Sequence, residues 1–239
     1  MGDQKDYLSA KTDKHDVGVG LGMVGADMIG VGMIVPVKAF AHAKQRLAPQ
    51  LSQSERADLA RSMATHVISV AAPFEVFVVC DDDEVARWAK GLGTEVLMCT
   101  GAGLNPAVAQ GVEHLRHLGF RQAIVAHGDL PFASGFTQFI DDERCVGIAP
   151  DRWENGTNVL SVPTDCSFEF KYGPGSFHRH IQETDRLGLP AKIYRDSALA
   201  FDVDLPRDLI DPPGPQDAGS PNMLELAELN QDHPRYFPN

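Results

Sequence analysis

The sequence predicts a single α/β domain, a mostly parallel sheet with helices on both faces. Three observations predict it. Short apolar runs rich in Val, Ile and Phe recur along the chain, bounded as buried strands are. Between them lie segments whose apolar residues return at helical spacing, the alternation of a βαβ architecture. Several runs also stop abruptly at Lys, Gly or Asp, and ligands bind at such strand ends in open sheets. A chain of 239 residues accommodates one large domain, and no internal repeat divides it.

In order, residues 33–37 (Met-Ile-Val-Pro-Val) read as the first strand, ended by Lys38 and followed in the same loop by Lys44 and Arg46. Three cations there suit a polyphosphate; solvated cations beside a core strand are the plainer alternative. Ser52-Gln53-Ser54-Glu55 has the capping-box pattern with Ser52 as N-cap, and Leu59, Met63, Val67 and Val70 follow at helical spacing. Residues 75–80 form a second strand. The acidic run 81–84 opens a helix, where its charge favours the N-terminal dipole over a metal. Residues 95–98 form a third strand. Gly101-Ala102-Gly103-Leu104-Asn105 then meets a helix over 105–118, and Asn105 serves either as its N-cap or as a contact to a base or phosphate. Residues 122–126 are a fourth strand, ending at His127-Gly128-Asp129-Leu130-Pro131. A helix over 132–140, strands over 145–149 and 158–162, a helix over 176–187, short strands over 191–194 and 199–203, and a turn from Pro206 complete the domain.

Outside this core, residues 1–32 read as a flexible Gly-rich leader and 211–239 as a Pro-rich tail, with 224–229 as a small docking helix. Residues 20–25 match G-x-G-x-x-G, but no strand precedes them and no helix follows, so a dinucleotide fingerprint is rejected. A net charge of −12 argues against nucleic acid; a nucleotide is not excluded, since screening over about 8 Å leaves local cations decisive. No apolar run approaches the roughly 20 residues of a membrane span, and the polar start is no signal peptide. Four cysteines without a C-x-x-C pair read as buried thiols of a cytoplasmic protein. A homodimer is compatible with this composition.

Asp129 follows a strand directly, where a carboxylate can hold a divalent cation against phosphate oxygens or make a turn bond to its own backbone. Asp202 and Asp204, in Phe201-Asp202-Val203-Asp204, share a face by strand alternation and repel unless a cation lies between them. Thr157 offers a neutral hydroxyl. Gly173 and Ser176, in Tyr172-Gly173-Pro174-Gly175-Ser176, form a nest for phosphate or carboxylate. His178 and His180 lie on different sides of their helix and make a poor metal pair.

Val35-Pro36-Val37-Lys38, Ala43-Lys44-Gln45-Arg46-Leu47, Gly128-Asp129-Leu130-Pro131, Pro150-Asp151-Arg152, Gly156-Thr157-Asn158, Tyr172 to Phe177, and Phe201 to Asp204 together resemble the 2-phospho-L-lactate/phosphoenolpyruvate guanylyltransferase family of coenzyme F-420 biosynthesis. The resemblance spans residues 33–210 in order and implies a Rossmann-like nucleotidyltransferase fold. It implies Mg2+ on Asp129 and on an Asp of the 202/204 pair. It also implies contacts from Thr157, Gly173 and Ser176 to a phosphorylated three-carbon acid. GTP is then expected on Lys38, Lys44, Arg46 and Asn105, with Asp129, Lys38 and Lys44 catalytic. Alternatives are 3-phospho-D-glycerate or another acceptor for the same chemistry, and a nucleotide-binding regulator without activity.

Overall fold

The computed structural model describes residues 30–99 and 103–210. The expected leader, the tail with its helix over 224–229, the 20–25 motif and residues 100–102 therefore lie outside the described residues, apart from 30–32 at the leader's end. Seven strands form one sheet: β1 (Val31–Pro36), β2 (Glu75–Cys80), β3 (Glu95–Met98), β4 (Gln122–Ala126), β5 (Val146–Pro150), β6 (Thr157–Pro163) and β7 (Ala191–Ile193). Their order is β3-β2-β1-β4-β6-β5-β7. All pairs are parallel except those of β6, which runs against β4 and β5. Val31 and Gly32 pair with Gln122 and Ala123, so the domain starts earlier than the leader boundary expected at residue 32.

Alternate residues of β1 feed two cores, which is why its run is almost continuously apolar. Met33 and Val35 join Val78, Ile124 and the apolar faces of two helices, α1 (Gln53–Ser69) and α2 (Asp83–Gly91). Ile34 joins Phe77, Val125 and residues of α3 (Leu104–His117) and α4 (Ser176–Arg186) on the other face. Local signals act as expected at two helix starts. Ser52 and Glu55 close a reciprocal capping box on α1, and Asp82 accepts from Glu84 and Val85 at the start of α2.

Two expected elements are absent. Over 132–140 there is no helix, only a short 3-10 turn, Thr137–Phe139. Gly135 takes φ +151, open to glycine rather than to a helical residue, and burial of Phe136 and Phe139 holds the segment against the sheet instead. Residues 199–203 are not a strand either. Leu199, Phe201 and Val203 are buried while Ala200, Asp202 and Asp204 are less so, so the alternation is real. Their backbone bonds are irregular, however: the Ala200 carbonyl accepts from Arg152 N–H, and the Leu199 carbonyl from the Asn158 side chain.

Candidate active site

The carboxyl ends of β1, β2 and β4 and the start of α3 enclose a cavity of about 640 Å³. Lys38 lines it directly beyond β1, with the loop residues Lys44 and Arg46. Lys44 takes the left-handed conformation at φ 48, which a non-glycine residue adopts at some cost and which clusters at functional sites. Its ammonium lies 2.5 Å from Asp129 Oδ2 and 3.2 Å from Asp204 Oδ1, and the side chain is only 9% exposed. Arg46, mostly exposed, reaches Asp204 Oδ2 at 3.3 Å. Burial opposes the Lys44 charge, but Asp129 and Asp204 outweigh it and its pKa is raised. Asp129 shows the converse: burial would raise its pKa, and Lys44 first among its neighbours holds it below the usual value.

A second cavity of about 350 Å³ opens among β6, the start of α4 and the segments around residues 151–156 and 202–208. Arg46, His127, Asp129 and Asp204 line both cavities, so the two meet at one wall. Thr157, Gly173 and Ser176 line only the second. Its loops are braced internally. Asp151 Oδ1 accepts from the N–H groups of Trp153 and Asn155, and Asn155 Oδ1 accepts from Gly175 N–H. A Cβ at Gly156 would come within 2.8 Å of the Asp151 carboxylate, so any side chain there would displace Asp151. Gly173 takes φ +114, open to glycine.

Among the described residues, five buried side-chain nitrogen or oxygen atoms have no hydrogen-bond partner: Arg56 Nε, His127 Nε2, Asp129 Oδ1, Arg152 Nε and Tyr172 Oη. Residues carrying four of the five line the second cavity. Buried polar atoms are nearly always paired, so this concentration marks a place for a polar ligand.

Asp129, Asp202 and Asp204 carry the carboxylate oxygens that a divalent cation would take. Lys44 places a positive charge between Asp129 and Asp204, and Asp129 Oδ1 remains unpartnered. Asp202 stands close enough that burial, then the charges of Asp129 and Asp204, raise its pKa to about 6. Among the described residues no group of three or more His, Cys, Asp or Glu side chains could hold a metal ion. The set Asp129, Asp202 and Asp204 is therefore no closed cage.

Asn105 is not among the residues lining the larger cavity. Its Oδ1 accepts from Tyr172 N–H at 2.6 Å and its Nδ2 reaches the Tyr172 carbonyl at 3.5 Å, so both ends of the amide fasten the loop at Tyr172 to α3. Gly103, not Asn105, caps that helix.

Sequence reasoning missed four residues. His127 sits on the shared wall, with its pKa lowered chiefly by burial; its place between β4 and Asp129 was the available signal. Arg152 pairs with the buried Asp208 at 2.5 Å and stacks over Phe201. Asp208 also accepts from the N–H groups of Asp204 and Leu205, fixing the irregular backbone that carries the acidic pair. His180, fully buried, bonds to Thr157.

Residues 31–211 match the family model described as "Guanylyl transferase CofC like". A phosphoenolpyruvate guanylyltransferase of Sphaerobacter thermophilus is 33% identical over 186 residues, covering 74% of this chain and 89% of the relative. A 2-phospho-L-lactate guanylyltransferase of Methanothermobacter thermautotrophicus is 32% identical over 183 residues, covering 74% and 81%. Among solved structures, the 4-diphosphocytidyl-2C-methyl-D-erythritol synthase of Anaerococcus prevotii shares the fold at TM-score 0.53 and 11% identity, over 86% of this chain and 99% of that one.

Proposed function

The chain belongs to the CofC-like guanylyl transferase family, and from that premise we propose which acid it guanylylates and which residues do so. It is a GTP-dependent guanylyltransferase of the coenzyme F-420 route. The acceptor is a phosphorylated three-carbon acid, phosphoenolpyruvate or 2-phospho-L-lactate, the acids named for relatives with similar overall identity to this chain. The observation that carries this reading is the shared wall: a large cation-lined cavity and a smaller one with unpartnered polar atoms meet at Asp129, His127, Asp204 and Arg46.

GTP occupies the larger cavity, with its triphosphate towards Lys38, Lys44 and Arg46. The acid occupies the smaller one, near Thr157, Gly173 and Ser176. An oxygen of the acid's phosphate forms a bond to the α-phosphorus of GTP, the bond from that phosphorus to the bridging oxygen breaks, and pyrophosphate leaves. No covalent intermediate on the protein is needed; positioning and charge neutralisation carry such transfers. Asp129 with Asp202 or Asp204 would hold Mg2+, which supplies charge neutralisation to phosphate oxygens when bound. Lys44 and Arg46 hold the acidic residues in place and present positive charge where phosphate negative charge gathers. Asp81, on the wall of the larger cavity, offers carboxylate oxygens to the two N–H donors on guanine's pairing edge; Asp81→Ala should then narrow the preference for GTP over ATP in kcat/KM, and an unchanged ratio rejects that contact.

The test incubates the protein with GTP, Mg2+ and each of phosphoenolpyruvate, 2-phospho-L-lactate and 3-phospho-D-glycerate, and weighs the products. Guanylylated phosphoenolpyruvate or phospholactate as the main product is expected. Guanylylated phosphoglycerate as the main product would overturn the acceptor while keeping the chemistry.

A further inference from the structure

Thr157 opens β6 and lines the second cavity, and its neighbours decide where its hydroxyl hydrogen points. His180 on α4 is fully buried. The N–H of Lys171 donates to its Nε2 at 3.1 Å, so that nitrogen carries the lone pair. Burial first, then the neighbouring cation Arg179, holds the ring's pKa down at about 4. At pH 7 the ring is neutral and its single proton is on Nδ1. That proton faces Thr157 Oγ1 at 2.9 Å. Ser176 Oγ donates to the same oxygen at 3.3 Å. Both lone pairs of Oγ1 are thereby occupied, and only the threonine's own hydrogen is left to offer. The rings of Phe168 and Tyr172 pack on His180 at 5.8 and 4.9 Å between centroids, holding the imidazole in this orientation.

We propose that His180 is a positioning residue that acts through Thr157, making its hydroxyl a one-way donor to a carboxylate or phosphate oxygen of the acid. Ser176 spends its hydrogen on Thr157, so of these two hydroxyls Thr157 alone donates into the cavity. A ligand atom that can only donate finds no acceptor at Thr157, which favours an accepting oxygen there, an ionised one most strongly. The inference rests on reading the second cavity as the acid's site.

Two substitutions of His180 separate a positioning role from a packing role. Asn places an amide nitrogen near the Nδ1 position and keeps a donor for Thr157, whereas Gln reaches the Nε2 position and loses it. With phosphoenolpyruvate as acceptor, His180→Gln should raise its KM about tenfold, the scale of one hydrogen bond to a charged group. The KM for GTP should stay within about twofold, and His180→Asn should recover most of the loss. Thermal melts of both variants control for folding. On 15N-histidine-labelled wild type at pH 7, the His180 ring should show Nδ1 protonated and Nε2 bare. Equal losses in the Asn and Gln variants, a KM for GTP that rises in step, or a ring protonated on Nε2 would each overturn the proposal. Thr157→Val distinguishes the failures. If it leaves the phosphoenolpyruvate KM unchanged, the second cavity is not the acid's site and the inference falls with that reading. If it raises that KM while His180→Gln does not, the site stands and the relay alone is wrong.

Discussion

The two cavities share a wall yet are built by opposite means. The larger is formed by strand ends of the parallel half, and its cations come from a loop: Lys38 and Arg46 are exposed, and Lys44 alone is turned inward. The smaller lies over the reversed strand β6 and α4, where a buried residue anchors each contact: Thr157 with His180 and Ser176, Asp208 with the partly exposed Arg152, Glu183 with the half-exposed Arg186. A flexible cation on an exposed stem accommodates a long polyanion from many directions. A buried network has one arrangement, and every atom it leaves unpaired is a demand on the ligand. On the proposed function, the difference teaches where discrimination resides: charge gathers the nucleotide, whereas geometry selects the acid.

That contrast predicts that substitutions on the acid side cost stability and those on the nucleotide side cost activity alone. The largest effect is expected at Asp208. Its buried carboxylate pairs with Arg152 and holds the backbone of Asp204 and Leu205, so Asp208→Ala strips the partly exposed Arg152 of its partner and leaves two backbone N–H groups without an acceptor. A loss of about 3 kcal/mol in urea unfolding is expected, the low end for breaking a buried pair, accompanied by lower kcat as the acidic pair loses its support. An unfolding midpoint equal to wild type would break the contrast at its strongest point.

Asp129→Asn follows, at the wall common to both. Turnover should fall by at least about 10²-fold, the cost of losing one preorganised electrostatic element, with the far-UV spectrum unchanged. Turnover near wild type would remove Asp129 from the chemistry. Smaller again is Lys44→Ala, which should weaken GTP by roughly 1–3 kcal/mol, the range for a charged hydrogen bond, and affect the acid less. An equal rise in both KM values would erase the division between the cavities.

The parallel half was legible in the sequence because its signals are local. The runs over 75–80, 95–98 and 122–126 stand as strands with the boundaries read from them, and the Ser52–Glu55 capping box and the Lys38–Arg46 loop are where their spacing put them. The acid side was legible only as fragments. Thr157, Gly173 and Ser176 come together, but what orients them does not follow from spacing. His180 was weighed only as a metal ligand and set aside, because its partners Lys171 and Thr157 are brought to it by tertiary folding. Asn105 meets the same limit: a residue next to a glycine-rich loop reads as an N-cap or as a contact to a base or phosphate, and its side chain bonds to the Tyr172 backbone, 67 positions away. The segment 199–203 kept its period of two without becoming a strand, since alternate burial needs only a core beneath it and not a hydrogen-bonded neighbour beside it.

The smallest expected effect tests the contrast through pH. Glu183, on α4, is buried and accepts from Arg186, from the N–H of Glu169 and from Lys171. It thereby ties the 169–171 segment, whose Lys171 N–H in turn orients His180, to the helix that carries Ser176. The Arg186 hydrogen bonds first, then the Glu169 N–H, hold its pKa down to about 2 against an ordinary 4.5, with burial working the other way. A carboxylate whose folded pKa is depressed stabilises the fold fully above its unfolded value, and that contribution fades as pH falls through the folded one. Glu183→Gln should therefore be less stable than wild type by about 1–2 kcal/mol at pH 7, at the low end for charged hydrogen bonds because Arg186 is half exposed and screened by solvent. The gap should hold down to about pH 4.5 and narrow steadily towards pH 2. Lys38→Ala, on the exposed side of the nucleotide cavity, should change stability by no more than about 0.5 kcal/mol at any of these values. Urea titrations of the three proteins at pH 7, 4.5 and 2.5 decide it. A gap for Glu183→Gln that does not narrow with acid would show that packing rather than charge holds the acid-side wall together, and a Lys38→Ala loss of equal size would show that the two cavities are not built differently after all.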